Sequence, residues 1–142
     1  MKKTINSAIS VILSLVFVLC LGACTNAPDA TGLWENAVYT EDTELGEGAI
    51  TAVVEVKIED KTVTFTVHTD KTNLGEALIE NNLISGEQGD YGLYIKSVNG
   101  VTADYDIDQS YWAFYVNGEY ATTGIDGAEI DENAVYSLEY TK

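Results

Sequence analysis

The sequence predicts an α+β domain in which a mostly antiparallel sheet carries one packed helix. Three observations predict it. Residues 50–68 contain two runs of alternating apolar and polar residues, which is the period of half-buried strands. A short amphipathic segment with a capping signal follows at 73–84. Two Asn-Gly pairs then separate further extended runs, as in a series of hairpins.

The two alternating runs are expected to form the first hairpin. With Asp60 and Lys61 at the turn, Ile58 is expected opposite Val63, and all apolar residues share one face. The remaining pairs expected on that face are Val56 with Phe65 and Val54 with Val67. His68 falls on the opposite, polar face, so we expect a solvent-facing side chain rather than a ligand or a base.

The helix is expected to begin after Asn73. Asn73 is an N-cap residue, and Glu76 follows three positions later, so each side chain can satisfy a free backbone N–H of the other. An apolar stripe suited to packing on the sheet is formed by Leu74, Ala77 and Leu78. Gly86 is expected to close the segment after about three turns.

Three later strands complete the predicted sheet. They are Tyr91–Val98, Tyr111–Val116 and Ala134–Tyr140, with Asn99-Gly100 and Asn117-Gly118 as turns that tolerate two positive φ angles. The element order is therefore β-β-α-β-β-β, which is typical of a β-grasp-like sheet with one packed helix.

The N-terminal segment has the features of an export signal that carries a lipid. Lys2 and Lys3 precede an apolar run at 9–21, so residues 1–23 are predicted to be a cleaved signal peptide. The run Leu21-Gly22-Ala23-Cys24 resembles the bacterial lipobox, in which the Cys thiol receives a diacylglyceryl group and acylation (palmitate is typical) anchors the chain. The alternative is ordinary cleavage after Ala23, with Cys24 incidental. We expect a lipoprotein at the extracytoplasmic face of the cell membrane.

Residues 24–48 are predicted to be a lipidated cysteine followed by an acidic tether, and residues 49–142 to be the folded domain. The tether contains the only Pro of the chain, Pro28, and six acidic residues without a basic one. Trp34, Val38 and Tyr39 leave an alternative open, because part of this stretch could pack along the domain as an edge segment.

Composition excludes several functional classes. The chain has 142 residues and a formal charge of −16, with 7 Lys plus Arg against 23 Asp plus Glu, so nucleic acid is not an expected partner. Its 2 Cys lie at 20 and 24, which leaves the domain without a disulfide or a Cys-based metal site. A single His allows neither a hydrolase triad nor a His-rich zinc site. We therefore expect no enzyme and no cofactor.

An aromatic-rich stretch holds the candidate binding residues. Eight of the aromatic residues lie between 91 and 120, among 9 Tyr, 3 Phe and 2 Trp in the chain. One interpretation is sheet packing, with Trp112, Phe114 and Val116 in the core and Tyr115 paired with Tyr120. The other is an exposed tyrosine platform for a planar ligand, a sugar or a partner strand. Its candidate residues are Tyr94, Tyr111, Tyr115, Asn117 and Tyr120.

Asp104, Asp106 and Asp108 begin like a calcium loop. The pattern then fails, because Gln109 stands at the sixth position and Tyr115 at the twelfth, where such loops need Gly and Glu. A solvated acidic turn is the favoured interpretation, and weak Ca²⁺ binding is the alternative.

Four segments resemble the transcobalamin-like C-terminal domain family. They are Thr72–Leu78, Tyr94–Gly100, Tyr111–Gly118 and the closing strand at 134–140, and the similarity covers about residues 62–142. The chain departs from the family at Asn133-Ala134, where members often have a Gly-Asp turn. The family carries no assigned activity of its own. The resemblance implies cobalamin or a related corrinoid as ligand, although in transcobalamin a large helical domain, for which this chain has no room, covers the other face.

Together these features predict a cell-surface lipoprotein binding module. Its partners would be the membrane, through the lipid, and a small planar ligand such as a corrinoid or an envelope component. The alternative is a structural or adhesive envelope module that pairs through sheet edges or its tyrosine face without a small-molecule ligand.

Overall fold

The structure, a computed structural model, describes residues 32–142. The predicted signal peptide, the lipidation residue Cys24 and the start of the predicted tether lie outside the described residues. None of the helices within 32–142 combines the length and the hydropathy needed to cross a membrane.

The described chain contains nine strands, two short α-helices and two 3₁₀ turns. In chain order they are a 3₁₀ turn at Gly32–Asn36, β1 (Thr43–Gly46), β2 (Ile50–Ile58), β3 (Lys61–Thr69), α1 (Leu74–Glu80), β4 (Ile84–Gly89), β5 (Gly92–Val98), β6 (Val101–Thr102), α2 (Tyr105–Asp108), β7 (Tyr111–Val116), β8 (Glu119–Tyr120), a 3₁₀ turn at Ile125–Gly127 and β9 (Val135–Thr141).

The strands form two sheets. The larger has the order β1-β3-β2-β9-β7-β8 and is mixed, because β1 runs parallel to β3 and β2 parallel to β9. The smaller, β4-β5-β6, is antiparallel. The protein is thus mostly β-sheet with one main helix, as the coarse fold class predicts. The described chain contains more strands than the predicted order β-β-α-β-β-β, and the β-grasp assignment stays a prediction.

The first hairpin forms with its apolar face intact but in a different register. Its turn is at Glu59-Asp60, where Glu59 adopts a φ of 54°, so Ile58 pairs with Lys61 and Val56 with Val63. The predicted partners were wrong by two residues. A shift of two preserves the face on which each side chain lies, because the side-chain period of a strand is also two. The inward residues of both strands are consequently buried.

The Asn73 N-cap of α1 is confirmed, but within residues 32–142 the Glu76 side chain makes no return bond to the Asn73 N–H, and the predicted end of the helix is wrong. The Asn73 side-chain oxygen accepts from the backbone N–H of Glu76 at 3.1 Å. The helix ends at Glu80 after seven residues, and Ile84–Gly89 is strand β4. Gly86 lies at an irregularity of β4, because the β4–β5 register shifts between Ser85 and Gly86. A side chain at Gly86 would collide with the Tyr94 backbone.

Both predicted Asn-Gly turns are present. Asn99 and Gly100 have φ of 50° and 81°, and Asn117 and Gly118 have φ of 50° and 80°, the pair of left-handed residues that tight hairpins require. The three later strands of the prediction correspond to β5, β7 and β9, and each lies within one residue of its predicted bounds. The Asn-Gly turns therefore predict correctly where the strands of this half of the domain begin and end.

The core lies between the inner face of the larger sheet and a layer made of α1 and the smaller sheet. Its largest fully buried side chains include Phe65, Ile58, Leu74, Leu78, Leu83, Ile125 and Leu138.

Residues 32–48 pack on this core. Trp34 is buried, and β1 extends the larger sheet beside β3. The edge-segment alternative thus describes this stretch, and the folded unit begins earlier than residue 49. The physical reason is that a buried indole and four backbone pairings outweigh the acidic composition that favoured a tether.

Candidate ligand-binding site

A groove of about 470 Å³ opens between β5, α2 and the start of β7. We call it the tyrosine groove. It is lined by Tyr94, Lys96, Asp104, Tyr105, Asp106 and Tyr111.

Two strands bring their residues to the groove by ordinary alternation. Tyr94 and Lys96 are two residues apart on β5, so they point to the same side of the smaller sheet. Tyr111 opens β7, whose outer edge is unpaired at this end within the described residues, because β8 pairs with β7 only at Tyr115 and Val116. β5 lies beside β7, and the space between the two strands forms the groove.

The segment at 104–110 closes the third side. Asp104 caps α2 through its side-chain oxygen, which accepts from the Asp106 N–H at 3.0 Å. Gln109 ends the helix with a φ of 64°. The Ser110 hydroxyl is buried, donates to Asp108 and accepts from the Asp104 N–H at 3.0 Å. These bonds fix the turn that presents Tyr105 to the groove.

The three tyrosines of the groove keep their rings free of other aromatic rings within residues 32–142. Tyr94 is 41% exposed, Tyr105 is 57% exposed and Tyr111 is half-buried. Exposed aromatic faces around a concave surface are typical of ligand sites. The groove is thus able to hold a ligand by ring contact.

A second, smaller cleft of about 230 Å³ adjoins the groove. Tyr94 and Tyr111 line both cavities, which makes these two residues the boundary between them. The far side of the cleft includes Trp112, Phe114 and Tyr120, together with the 121–125 segment. A ligand larger than the groove could therefore extend along the β7 edge.

Only some residues of the predicted tyrosine platform line the two cavities. Tyr94, Tyr111 and Tyr120 line the cavities, but Tyr115 packs edge-on against Tyr120, with ring centroids 5.3 Å apart. Asn117 lies at the hairpin turn, where its side-chain oxygen accepts from the Val135 N–H at 2.9 Å. Its position indicates a role in joining the hairpin to β9.

Two lining residues, Lys96 and Tyr105, were missed by the sequence analysis. Lys96 sits in the most hydrophobic part of its strand and had no charged neighbour in sequence to mark it. Tyr105 belongs to the aromatic-rich stretch, which was the one available signal, but its position depends on how α2 packs beside β5. Such packing is tertiary and leaves no local pattern.

The acidic turn has structural partners. Asp108 accepts from Ser110 and lies 3.2 Å from the Lys142 Nζ, and these contacts, led by the Ser110 hydrogen bonds, lower the pKa of the Asp108 carboxyl. Within residues 32–142 no three His, Cys, Asp or Glu side chains lie close enough to hold a metal ion. The calcium alternative at Asp104, Asp106 and Asp108 therefore gains no geometric support.

His68 is half-buried rather than fully exposed. Its Nδ1 lies 3.3 Å from the Thr51 Oγ1 across the first hairpin, on the polar face of the sheet. The predicted face is thus the observed one, and neighbouring strands shield the ring more than alternation alone suggests.

Comparison with known proteins gives a family and a fold. Residues 71–142 match the family described as Domain of unknown function (DUF4430). The chain is similar to a solved protein of Ruminococcus gnavus described as a candidate metal-binding protein, with 33% identity and a TM-score of 0.61 over 66% of this chain and 98% of that one. It is also similar in fold to haptocorrin in complex with Cbi, with 19% identity and a TM-score of 0.50 over 65% of this chain and 25% of haptocorrin. No curated protein matches.

Proposed function

We propose that this chain, which belongs to the Domain of unknown function (DUF4430) family, is a lipid-anchored binding module of the cell surface, without catalytic activity of its own. The observation that carries the proposal is the tyrosine groove, a cavity of about 470 Å³ to which Tyr94, Tyr105 and Tyr111 present rings that pair with no other aromatic ring of residues 32–142. That volume suits a small molecule, and aromatic walls with a few polar groups are the usual composition of such sites.

A small planar organic ligand suits the groove best. Tyrosine rings offer flat apolar faces at low entropic cost, and their hydroxyls can orient polar substituents. A corrinoid is the first ligand to test, because the similar fold in haptocorrin was solved with Cbi bound. A metal ion is disfavoured as the direct ligand, since residues 32–142 bring no three metal-binding side chains together.

The anchor would hold the domain near the membrane. Cys24 is eight residues from Gly32, where the described chain begins, and an extended chain spans at most roughly 3.6 Å per residue, so the gap is about 29 Å or less. Trp34 contacts the end of β2 at Ile58, and Tyr111 pairs with Thr141 at the corresponding end of β9. The groove would therefore open at the anchored end of the sheet.

Calorimetric titration of the full chain in detergent with the corrinoid cobinamide (Cbi) tests whether this ligand binds. We expect saturable binding that weakens by roughly 1–3 kcal/mol in Tyr111→Ala, because an aromatic anchor in a pocket carries a large share of binding energy. Tyr91→Ala is the matched control, since Tyr91 is 100% exposed at the β4–β5 turn and lines neither cavity. Absence of cobinamide binding, or equal losses in both variants, would overturn the corrinoid proposal.

The second candidate is a structural or adhesive envelope module. It is favoured by β4, an edge strand in which five of six residues are exposed and whose outer side is unpaired within the described chain. Such an edge can accept an extended segment of an envelope protein by backbone pairing. Because the Glu87 carboxylate also pairs with Lys96, which lines the groove, Glu87→Ala is the control for the lost charge, and Glu87→Pro additionally removes one backbone N–H from this strand. Loss of an envelope partner in that variant, with cobinamide inactive, would favour this candidate.

A further inference from the structure

The charges around the tyrosine groove are unevenly compensated. Lys96 is paired, because its Nζ lies 3.5 Å from the Glu87 Oε2 across the β4–β5 hairpin. Asp104 and Asp106 line the same groove and have no cationic partner among residues 32–142. With the Lys96–Glu87 pair neutral, these two carboxylates leave the groove with an excess of negative charge.

The aromatic walls add to that preference. A ring presents the negative part of its quadrupole to a group above its face, so an organic cation is attracted and an anion is repelled. Tyr94, Tyr105 and Tyr111 surround the groove from three different elements, β5, α2 and β7. Aromatic side chains converging on one cavity are the arrangement that recognises quaternary ammonium groups.

The rest of the molecule acts in the same direction. The chain has a formal charge of −16, and a field of this sign raises the local concentration of cationic ligands and lowers that of anionic ones. An inorganic cation would need several converging oxygen ligands, whereas Asp104 already accepts from the Asp106 N–H and no metal-binding cluster is present within 32–142. An organic cation needs only ring faces and nearby charge.

We propose that the tyrosine groove selects ligands that carry an organic cationic group, a quaternary or protonated amine or a cationic planar ring. The inference rests on the proposed function in that it takes the same groove as the binding site, and it adds the sign of the ligand's charge. The ring of Tyr105 and the carboxylate of Asp106 are the specificity-determining groups. Both can be changed with little effect on folding, since Tyr105 is 57% exposed and the Asp106 carboxylate makes no hydrogen bond within the described chain.

A pair of isosteric probes isolates the charge. Choline and 3,3-dimethylbutan-1-ol have the same shape, and only choline is charged. We expect choline to bind the full chain about tenfold more tightly than the alcohol, as titrated by calorimetry or by shifts of the tyrosine ring resonances. Equal binding of the two probes, or no binding of choline up to its solubility limit, would overturn the inference.

Four variants locate the effect. Tyr105→Ala and Asp106→Asn are each expected to weaken choline binding about threefold to tenfold. The controls are Tyr91→Ala, which removes an exposed ring outside the groove, and Glu80→Gln, which removes an equal charge from the exposed end of α1. If Glu80→Gln weakens binding as much as Asp106→Asn, the preference comes from net charge and the groove assignment fails.

The outcome separates this inference from the function on which it rests. Cobinamide binding that depends on Tyr111, with no preference for choline over its neutral analogue, would leave the proposed binding module standing and refute the charge selection. Choline binding that depends on Tyr105 and Asp106, with cobinamide inactive, would support the charge selection and refute the corrinoid ligand.

Discussion

Trp34 donates its indole N–H to the carbonyl oxygen of Ile58 at 3.2 Å, and this bond fastens the start of the described chain to the end of β2. The Lys61 ammonium lies 4.7 Å from the centre of the same ring, on the other strand of the hairpin. The indole thus bridges both strands next to their turn. An acidic stretch that composition describes as a tether is held to the domain at this point, by hydrogen bonds of Val38 and Tyr39 with Asn99, and along β1.

We predict that Trp34→Ala destabilises the domain by roughly 3–5 kcal/mol, because it removes a large buried side chain and leaves a cavity. Trp34→Phe should cost less, since it retains much of the apolar contact and loses the hydrogen bond and part of the volume. Denaturant unfolding of both variants measures the difference. A Trp34→Ala protein with unchanged stability would show that the segment is not part of the cooperative unit.

The same contacts predict how the chain resists protease. Cleavage should concentrate before residue 32, and 32–48 should be protected along with the sheet, because Trp34 is buried and β1 is paired. Limited proteolysis with mass readout shows where the first cuts fall. In Trp34→Ala the protected boundary should move toward residue 49. Early cleavage between 36 and 48 in the unmodified protein would contradict the packing of this segment.

Local chemistry explains which parts of the fold were predictable. The Asn73 cap and the Asn117 turn depend on neighbours within four residues, so the sequence shows them directly. The parallel pairing of β2 with β9 joins residues about 80 positions apart, and no local pattern marks it. The same holds for the groove. The aromatic-rich stretch can be recognised in the sequence, but the position of Tyr105 depends on the packing of α2.

Phe114 and Tyr115 are adjacent in β7 and should respond differently to truncation. Phe114 is buried and stacks on Tyr136, with ring centroids 6.2 Å apart, so Phe114→Ala is expected to cost roughly 3–5 kcal/mol. Tyr115 is half-buried and meets Tyr120 on the exposed hairpin, so Tyr115→Ala should cost about 1 kcal/mol. Thermal or denaturant unfolding compares them. Equal losses would place Tyr115 in the core rather than on a surface pair.

Cys24→Ser tests the proposed anchor. If Leu21-Gly22-Ala23-Cys24 is a lipobox, the variant cannot receive the diacylglyceryl group and should leave the membrane fraction or accumulate uncleaved. Intact mass and detergent phase partitioning give the readout. Cys20→Ser is the matched control, because Cys20 lies within the apolar run and is not expected to be modified. Unchanged mass and partitioning of Cys24→Ser would contradict lipidation.

Asp126 should make the stability of the domain depend on pH in the acid range. A hydrogen bond from the backbone N–H of Leu93 is the largest cause that lowers the pKa of this carboxyl below its ordinary 3.8, and the Gln88 amide, 3.3 Å away, adds to it. These bonds tie the turn at Ile125–Gly127 to the β4–β5 hairpin.

Because the pKa of Asp126 is lower in the folded than in the unfolded chain, the unfolded state binds more protons as pH falls. The stabilisation is therefore present above pH 3.8 and is lost as pH falls from there through the lower folded value. Asp126→Asn retains an acceptor and cannot titrate, so its stability should fall less between neutral and acid pH than that of the unmodified protein. Glu129→Gln, on the exposed segment after this turn, removes an equal charge and is the matched control. Parallel acid-unfolding curves for the unmodified protein and Asp126→Asn would contradict the assignment, because the acid dependence would then come from other carboxylates.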